Sequence, residues 1–582
     1  MRSLLAGGML IVAGWVALAG APAASGAQAA QSAPALVPVP DRFVTDVTES
    51  EAALEVVQRS IDDSLIAGLR AFDWEAVAEG LTEQFRGRFP EPGAGSVAED
   101  GRLMIRRHGP AETEPLGRER FLTVLRGHTD AWTAVERASW HAFEFLLEPA
   151  RDRAFVKAHL QLAGPDPEGA RSVLDGTVHA RVVETAPGDW RIDRLDVVAA
   201  TAVRNPDPPF REITDATGFH YNRSDANREL RQAIVDTRSS LVDSGLSVVD
   251  WNRDGFWDLL ATESMNQAVL FLNDGKGGFV RGAQPYDDPR LIPSQTLFVD
   301  LDGDGLEELV GNRVLYSDGR GSVSLYTRRD GEWQFLPNAL AFDNPSGAQR
   351  TDAQPLTAGD VNGDGLIDVV VAGYETDQSR DPERFNRVDA RDGADTLLFI
   401  NHGGLRFSEE SDARGISGTR YTYAAHLFDF DGDGDLDLFE GNDYGANELW
   451  DNRGDGTFRA LEDHPAAGDA SNTMGVAVAD WDNSGRWSLH LSNMYSHAGR
   501  RVVRLAQTLG GAMRGRLGQL ANGNQLFVQA PGGWEERAAA LGVNEAGWAW
   551  PSLFYDLDND GDQELFVTNG NTSHRDAEAP DY

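Results

Sequence analysis

The sequence predicts a mainly β chain: a β-propeller of six or seven four-stranded blades, preceded by a small α+β domain. Three observations carry this. An aspartate-rich turn recurs six times, at intervals of 50, 60, 69, 51 and 76 residues, and self-similarity on that scale marks a repeat architecture. Each turn lies between short apolar segments, and two more such segments precede the next copy, giving four strands per unit. Upstream of the repeats, helical periodicity gives way to long alternating strands, the layout of a separate α+β domain.

Composition narrows the function. The 582 residues carry 52 Lys+Arg against 92 Asp+Glu, a formal charge of −40. That length suggests more than one domain and is ample for large cores. The acidic balance argues against nucleic acid and anionic membranes as partners and suits bound cations where the acids cluster. There is no cysteine, so disulfides, lipid-modified cysteine, a thiol nucleophile and Cys-ligated zinc are all excluded.

Residues 1–29 read as a signal peptide. Arg2 gives a positive start, "LLAGGMLIVAGWVALAG" (4–20) is the apolar core, and "APA" and "AQA" are small-residue cleavage patterns. A retained anchor is the alternative, disfavoured by an apolar run broken by glycines and followed by no stop-transfer cluster. The expected location is therefore the periplasm, cell surface or extracellular space, with no membrane span after cleavage. An exported chain without disulfides needs other staples, and bound metal is one candidate.

Residues 30–40 form a Pro/Ala-rich spacer, and 41–203 the α+β domain. From about 49 to 88 apolar residues fall at three- and four-residue spacing, a helical pattern, and a second helical stretch spans 117–135. Segments 139–149, 153–164, 171–185 and 189–203 then read as strands between turns. This order resembles the NTF2-like cone, a curved sheet wrapped by N-terminal helices. The resemblance implies a pocket and no particular chemistry. His141, His159 and His179 alternate with apolar residues in these strands and are candidates to face that pocket, although a lone strand histidine is more often structural. "RNPDPP" (204–209) is a stiff linker, and 210–582 is the repeat region.

Counting each turn's first Asp as position 1, side-chain oxygens recur at positions 1, 3, 5 and 9. The sets are Asp250, Asn252, Asp254 and Asp258; Asp300, Asp302, Asp304 and Glu308; and Asp360, Asn362, Asp364 and Asp368. Two richer sets follow: Asp429, Asp431, Asp433 and Asp437 with Asp435 at position 7, and Asp556, Asp558, Asp560 and Glu564 with Asp562 at position 7. Calcium is a hard cation that takes about six to eight oxygens from carboxylates and carbonyls in a flexible loop. Position 7 offers its backbone carbonyl, so Asp435 is expected to contribute that rather than its carboxylate. Glycine at position 6 permits the sharp turn in all six copies. An EF-hand or dockerin loop starts the same way but needs flanking helices and an acid at or near position 12. Position 12 here is Ala261, Gly311, Val371, Glu440, Leu491 and Val567, and the flanks are β-rich. The closing acid sits at position 9 instead, which defines a strand–loop–strand calcium site, with about five Ca2+ sites expected. The sixth copy keeps Asp480 and Asp482 but has Ser484 at position 5 and Ser488 at position 9, so it is expected to bind weakly or not at all. Solvated Asp-Gly turns explain one such loop, not six with the same oxygen spacing.

The pattern D-x-[DN]-x-D-G-x-x-[DE] between strands, with "NELWDNRGDGTF" after it, resembles the FG-GAP/VCBS repeat over roughly residues 210–570. That repeat builds the propeller of integrin α chains and of bacterial and animal relatives of cartilage acidic protein. The resemblance implies structural calcium near the blade periphery, held by the positions just named. The unit at Asp556 shows only its first two strands. "FREITDATGF" (210–219) resembles the unit endings "RFSEESDARGI" and "WEERAAALGV", and is expected to close the ring by joining the last blade. Residues 497–522, with five arginines and one histidine, form a basic, amphipathic, helical insert. A packed surface excursion is expected there in preference to a partner-docking element.

No nucleophile elbow, zinc-protease pair or P-loop is present. The expected function is an exported calcium-binding propeller serving as a binding, adhesion or scaffold module for protein or glycan, and not an enzyme. One alternative is a polysaccharide-active lyase or hydrolase, which requires a basic and aromatic cleft with a proton-abstracting Lys, Arg or His. Another is small-molecule binding or catalysis in the cone pocket.

Overall fold

The computed structural model describes residues 37–570, except 101–102, 110–113, 207–212, 223–224, 226–228, 230–243, 264–266, 285, 287, 289–290, 351–354, 380–387, 469, 497–498, 501–502 and 504–509. The signal-peptide reading, most of the spacer and the end of the linker lie outside these. Two compact units emerge, one of residues 37–206 with 496–518 and the other of residues 213–495 with 519–570. No helix of the described residues is long and apolar enough to cross a membrane.

In the first unit, helix α1 (Val47–Ile61) starts at Asp46, whose carboxylate accepts the Glu49 N–H at 2.9 Å and so satisfies one of the helix's open donors. A π turn (Asp62–Ile66), α2 (Ala67–Ala71) and α3 (Trp74–Glu79) follow. The predicted helix to residue 88 stops there: Leu81–Arg88 is strand β1. Leu81 and Phe85, both buried, are four apart and satisfy a helical and an alternating period equally. Pairing with a partner strand decides between them.

Strands β2 (Ser96–Asp100), β3 (Leu103–His108) and β4 (Leu116–Gly117) were not legible, and α4 (Arg118–Gly127) is shorter than the predicted 117–135. Strands β5 (Arg137–Leu147), β6 (Arg153–Pro165), β7 (Arg171–Ala186) and β8 (Asp189–Asn205) match the predicted strands closely. They form one sheet in the order β2-β3-β8-β7-β6-β5, with β1 parallel to β8. Leu54, Val57 and Ile61 of α1 and Phe121 and Val124 of α4 cluster with Trp140, Phe145, Val156, Leu160, Val178 and Ile192 of the sheet. Alternation puts His159 and His179 on the opposite face, and His141 pairs directly with His159. The three histidines therefore turn away from the helix-covered face. Of the two readings of these histidines, a face toward the domain's pocket or a structural place in the strand, the sheet shows only that they share the face away from the helices.

The second unit is a series of antiparallel sheets in chain order. The first strands of six of them are Ser244–Val249, Thr296–Val299, Leu356–Gly359, Thr419–Phe428, Thr473–Ala479 and Ala549–Tyr555. The second strands start at Asp258, Glu308, Asp368, Asp437, Ser488 and Glu564, and every Asp-rich turn joins a first strand to a second. Among the described residues, sheets one, three and five have four strands; sheets two and four have five, and sheet six two. Each first strand lies beside the first strand of the next sheet. Apolar clusters span these contacts, as where Val249 and Trp251 of sheet one meet Leu309 and Tyr326 of sheet two.

Two sequence readings are refined here. The described end of "FREITDATGF" packs on sheet one rather than sheet six: Phe219 stands 4.6 Å from the Phe271 ring and 5.8 Å from Phe279. Residues 210–212, which would pair with the last sheet, lie outside the described residues. In the basic insert the helix spans Gly511–Gln519, and most of the rest lies outside the described residues.

Candidate metal centres

All six turns share one internal bond. The amide of the position-6 glycine donates to Oδ2 of the position-1 aspartate, at 3.0 Å for Gly255–Asp250, 2.9 Å for Gly305–Asp300 and 2.8 Å for Gly365–Asp360. The same bond measures 3.1 Å for Gly434–Asp429, 2.8 Å for Gly485–Asp480 and 3.1 Å for Gly561–Asp556. Positions 4 and 6 both take the left-handed conformation, for example Gly432 at φ 84° and Gly434 at φ 98°. Only glycine, and to a lesser degree asparagine, adopts that conformation readily. Sequence reading caught position 6 and missed position 4, where Gly303, Gly363, Gly432, Asn483 and Asn559 were the available signal. Arg253 is the exception at φ 62°. Its side chain donates to the Gly305 carbonyl of the next loop at 2.7 Å, as Asn483 does to Gly561 at 2.7 Å.

At position 5 the carboxylate accepts the amide of position 7 in five loops, from Phe256, Leu306, Leu366, Asp435 and Asp562. Ser484 lacks that acceptor, yet the Asp480 carboxylate still accepts the amides of Ser484 and Gly485, both at 2.8 Å. The turn conformation is thus set by position 1 and the left-handed residues, independently of a full ligand set.

Four of the position-9 acids are bonded to the protein through both oxygens. Asp258, Glu308, Asp368 and Asp437 are buried. One oxygen of each accepts the amide of position 2, from Trp251, Leu301, Val361 and Phe430. The other oxygen reaches the third strand: Asn273, Asn401 and Asn452 donate their amides at 2.7, 2.8 and 2.8 Å, and Thr327 donates its hydroxyl to Glu308 at 3.0 Å. Burial, reinforced by neighbouring acids, raises Glu308 to about 7, Asp368 to about 6 and Asp437 to about 7. A bound cation favours the ionised form of such groups. The third-strand residues also stitch sheets together. Asn401 donates through its side chain to the Leu301 carbonyl at 2.8 Å, Asn452 to Val361 at 2.7 Å and Arg328 to Trp251 at 2.6 Å. Sequence reading missed these donors; the signal for the asparagines was the residue closing "FLN", "LLFIN" and "ELWDN".

Three loops bring carboxylate oxygens within 4.8 Å of one another: Asp300, Asp302 and Asp304; Asp429, Asp431 and Asp437; and Asp556, Asp558 and Asp560, with a second grouping of Asp560, Asp562 and Glu564. In the loops at Asp250 and Asp360 the middle acid is Asn252 or Asn362, whose amide donates to Asp254 or Asp364 at 2.9 and 3.1 Å. One oxygen of Asp435 is buried without a hydrogen-bond partner, and burial with Asp433 beside it lifts its carboxyl to about 6. The donor set is oxygen only, and this fits a hard divalent ion such as calcium. Asp300, Asp302 and Asp304 and their counterparts at positions 1, 3 and 5 would hold it, and its charge would relieve their repulsion.

Glu440, the acid at position 12, takes no part in its loop. It is buried on the second strand of sheet four, directly opposite Glu448 on the third. Its oxygens accept from the Thr396 hydroxyl and, at 2.7 Å, the Trp450 indole N–H. Glu448 pairs instead with Arg420 at 2.9 Å.

These turns, each between the first two strands of a sheet in a repeated series, define a chain built on Asp-loop repeats. The FG-GAP-like repeat family matches residues 250–311, 300–371 and 429–489, so the chain carries FG-GAP-like repeats. Cartilage acidic protein 1 of Xenopus tropicalis is 23% identical over 274 residues, covering 44% of this chain and 41% of that protein. The chain thus spans less than half the length of this curated relative. Among solved structures, a conserved protein from Planctomyces limnophilus is similar over 25% of this chain and 94% of its own, at 19% identity and TM-score 0.19. AofleA from Arthrobotrys oligospora is similar over 57% of this chain and 88% of its own, at 11% identity and TM-score 0.24. TM-scores this low identify no common fold by themselves.

Proposed function

We propose that the chain is an exported, calcium-binding β-propeller of six or seven blades that serves as a binding, adhesion or scaffold module for protein or glycan. The observation that carries the reading is the recurrence of the six turns, which all bond the position-6 glycine amide to the position-1 aspartate and, in five of them, present oxygen ligands at positions 1, 3, 5 and 9. About five of them hold calcium, the loop at Asp480 being the weak one. The ions act structurally: each turn gathers several carboxylates whose repulsion the cation offsets, so folding and binding are coupled. Function on this reading is recognition rather than catalysis, exerted outside the cytoplasm at the cell surface, in the periplasm or beyond. The test is a protein and glycan array probed with the full chain in calcium and in chelator. Calcium-dependent capture of a defined ligand supports the reading. Turnover of a polysaccharide without stable capture overturns it.

A further inference from the structure

His108 closes strand β3 in the first unit. It is 5% exposed, and neither of its ring nitrogens has a hydrogen-bond partner. A neutral imidazole carries one N–H donor and one lone pair. Burying both unsatisfied is costly, and such groups call for a partner that is not a protein group.

The neighbouring ring is that of His128, at the C-terminal cap of α4. The two ring centres lie 6.1 Å apart, with their planes at 81°. Nε2 of His128 stands 2.8 Å from the Pro90 carbonyl oxygen. A carbonyl only accepts, so Nε2 carries the proton and Nδ1 the lone pair. Metal-ligating histidines are held in this way: the other nitrogen donates to a backbone carbonyl or a carboxylate, which fixes the tautomer and the ring orientation. Packing fixes the ring as well. Phe89 lies 5.3 Å from it and 5.5 Å from Phe121 of α4. Burial lowers the pKa of both histidines from 6.5, which leaves both neutral and able to ligate at pH 7.

We propose that His108 and His128 together hold a transition-metal dication of the zinc or copper class. Imidazole nitrogen suits these ions, whereas calcium takes oxygen. With metal–nitrogen bonds of about 2.0–2.1 Å, two imidazoles on one ion have ring centres about 5–6.4 Å apart, a range that includes the observed spacing. Glu91 follows Pro90 and acts on His128 electrostatically, so it is the acid placed to complete the shell with water. Its partner is Arg120 at 2.6 Å, both side chains being exposed, and such surface pairs contribute little. The ion would tie the end of β3 to the end of α4. The site shares no residue with the Asp loops, so its failure is separable from failure of the calcium reading.

Calorimetric titration of the full chain with Zn2+ and with Cu2+, in saturating calcium, tests it. One metal per chain is expected, together with a rise in melting temperature on adding Zn2+ and nitrogen ligation in the Cu2+ electron paramagnetic resonance spectrum. His108→Phe and His128→Gln each abolish all three signals, and circular dichroism melts without added Zn2+ or Cu2+ show whether each variant is folded. If the buried His108→Phe change prevents folding, His128→Gln carries the test, because glutamine keeps a donor for the Pro90 carbonyl. His141 and His159, paired across β5 and β6, are the competing imidazoles. The double variant His141→Ala/His159→Ala should titrate as the wild type does. Binding of neither ion overturns the proposal. So does binding that survives in folded His128→Gln, or binding lost only with His141 and His159.

Discussion

The backbone amide of Asn452 donates to Oδ1 of Asp437 at 2.8 Å, tying the loop of sheet four to its third strand, while Oδ2 accepts the Phe430 amide at 2.9 Å. Asp437→Ala leaves two buried N–H groups without an acceptor. Leaving a buried donor unsatisfied costs about 1–3 kcal/mol, so the expected loss for the two is about 3–5 kcal/mol. Asp433, exposed at position 5, accepts one amide at 3.2 Å, and Asp433→Ala should cost about 1 kcal/mol. Urea unfolding in excess chelator separates the two roles. Equal losses there would mean that position 9 acts through the cation alone.

The side chain of Asn452 reaches the Val361 carbonyl at 2.7 Å and the Leu436 carbonyl at 3.0 Å. Asn273, its counterpart in sheet one, donates to Trp257 at 3.1 Å, within its own sheet. Asn452→Ala should therefore destabilise by about 2–3 kcal/mol, and Asn273→Ala by about 1 kcal/mol. Matching denaturation midpoints for the two variants would remove the stitch between sheets from the account.

His490 gives the repeat unit a sensitivity to acid. It is fully buried between sheets five and six, with Nδ1 on the Ser552 hydroxyl at 2.9 Å and its ring near Phe554. Burial lowers its pKa from 6.5 to about 3. The folded value is depressed, so the unfolded chain binds the proton first. Stability is intact above pH 6.5 and falls by about 1.4 kcal/mol per pH unit below it, down to about pH 3. His490→Phe, which copies Phe439 of sheet four, should flatten that part of the stability–pH curve. An unchanged slope between pH 6 and 4 would rule the histidine out as its source.

Glu440 acts in the opposite sense. Burial, with Glu448 facing it, raises its pKa from 4.5 to about 7. A raised folded value means its contribution is complete below pH 4.5 and is lost as pH climbs through 7. Glu440→Gln mimics the protonated acid, so the variant should match the wild type at pH 5 and exceed it above pH 7, by on the order of 1–3 kcal/mol. Thermal melts at pH 5 and pH 8 decide this, and a variant weaker at both would refute it.

The Asp loops were legible because their signal is local: oxygens at fixed spacing around a glycine that must turn left-handed. The long strands β5 to β8 were legible for the same reason, alternation over many residues. The second role of Asp437 was not, because its partner lies fifteen residues on and nothing in the loop names it. The Asn401 and Asn452 stitches reach carbonyls 100 and 91 residues away, a relation created only when the sheets stand side by side. β1 was misread because Leu81 and Phe85 fit two periods, and the side of the sheet taken by the histidines was not legible because alternation gives a shared face without saying which face the helices cover.

Calorimetric melting of the full chain shows whether calcium holds the Asp loops together. In excess chelator the melting temperature should fall sharply, recover fully with added calcium, and recover poorly with magnesium, which demands a tighter octahedral shell. A melting temperature unmoved by chelator, or restored equally by magnesium, would contradict the account.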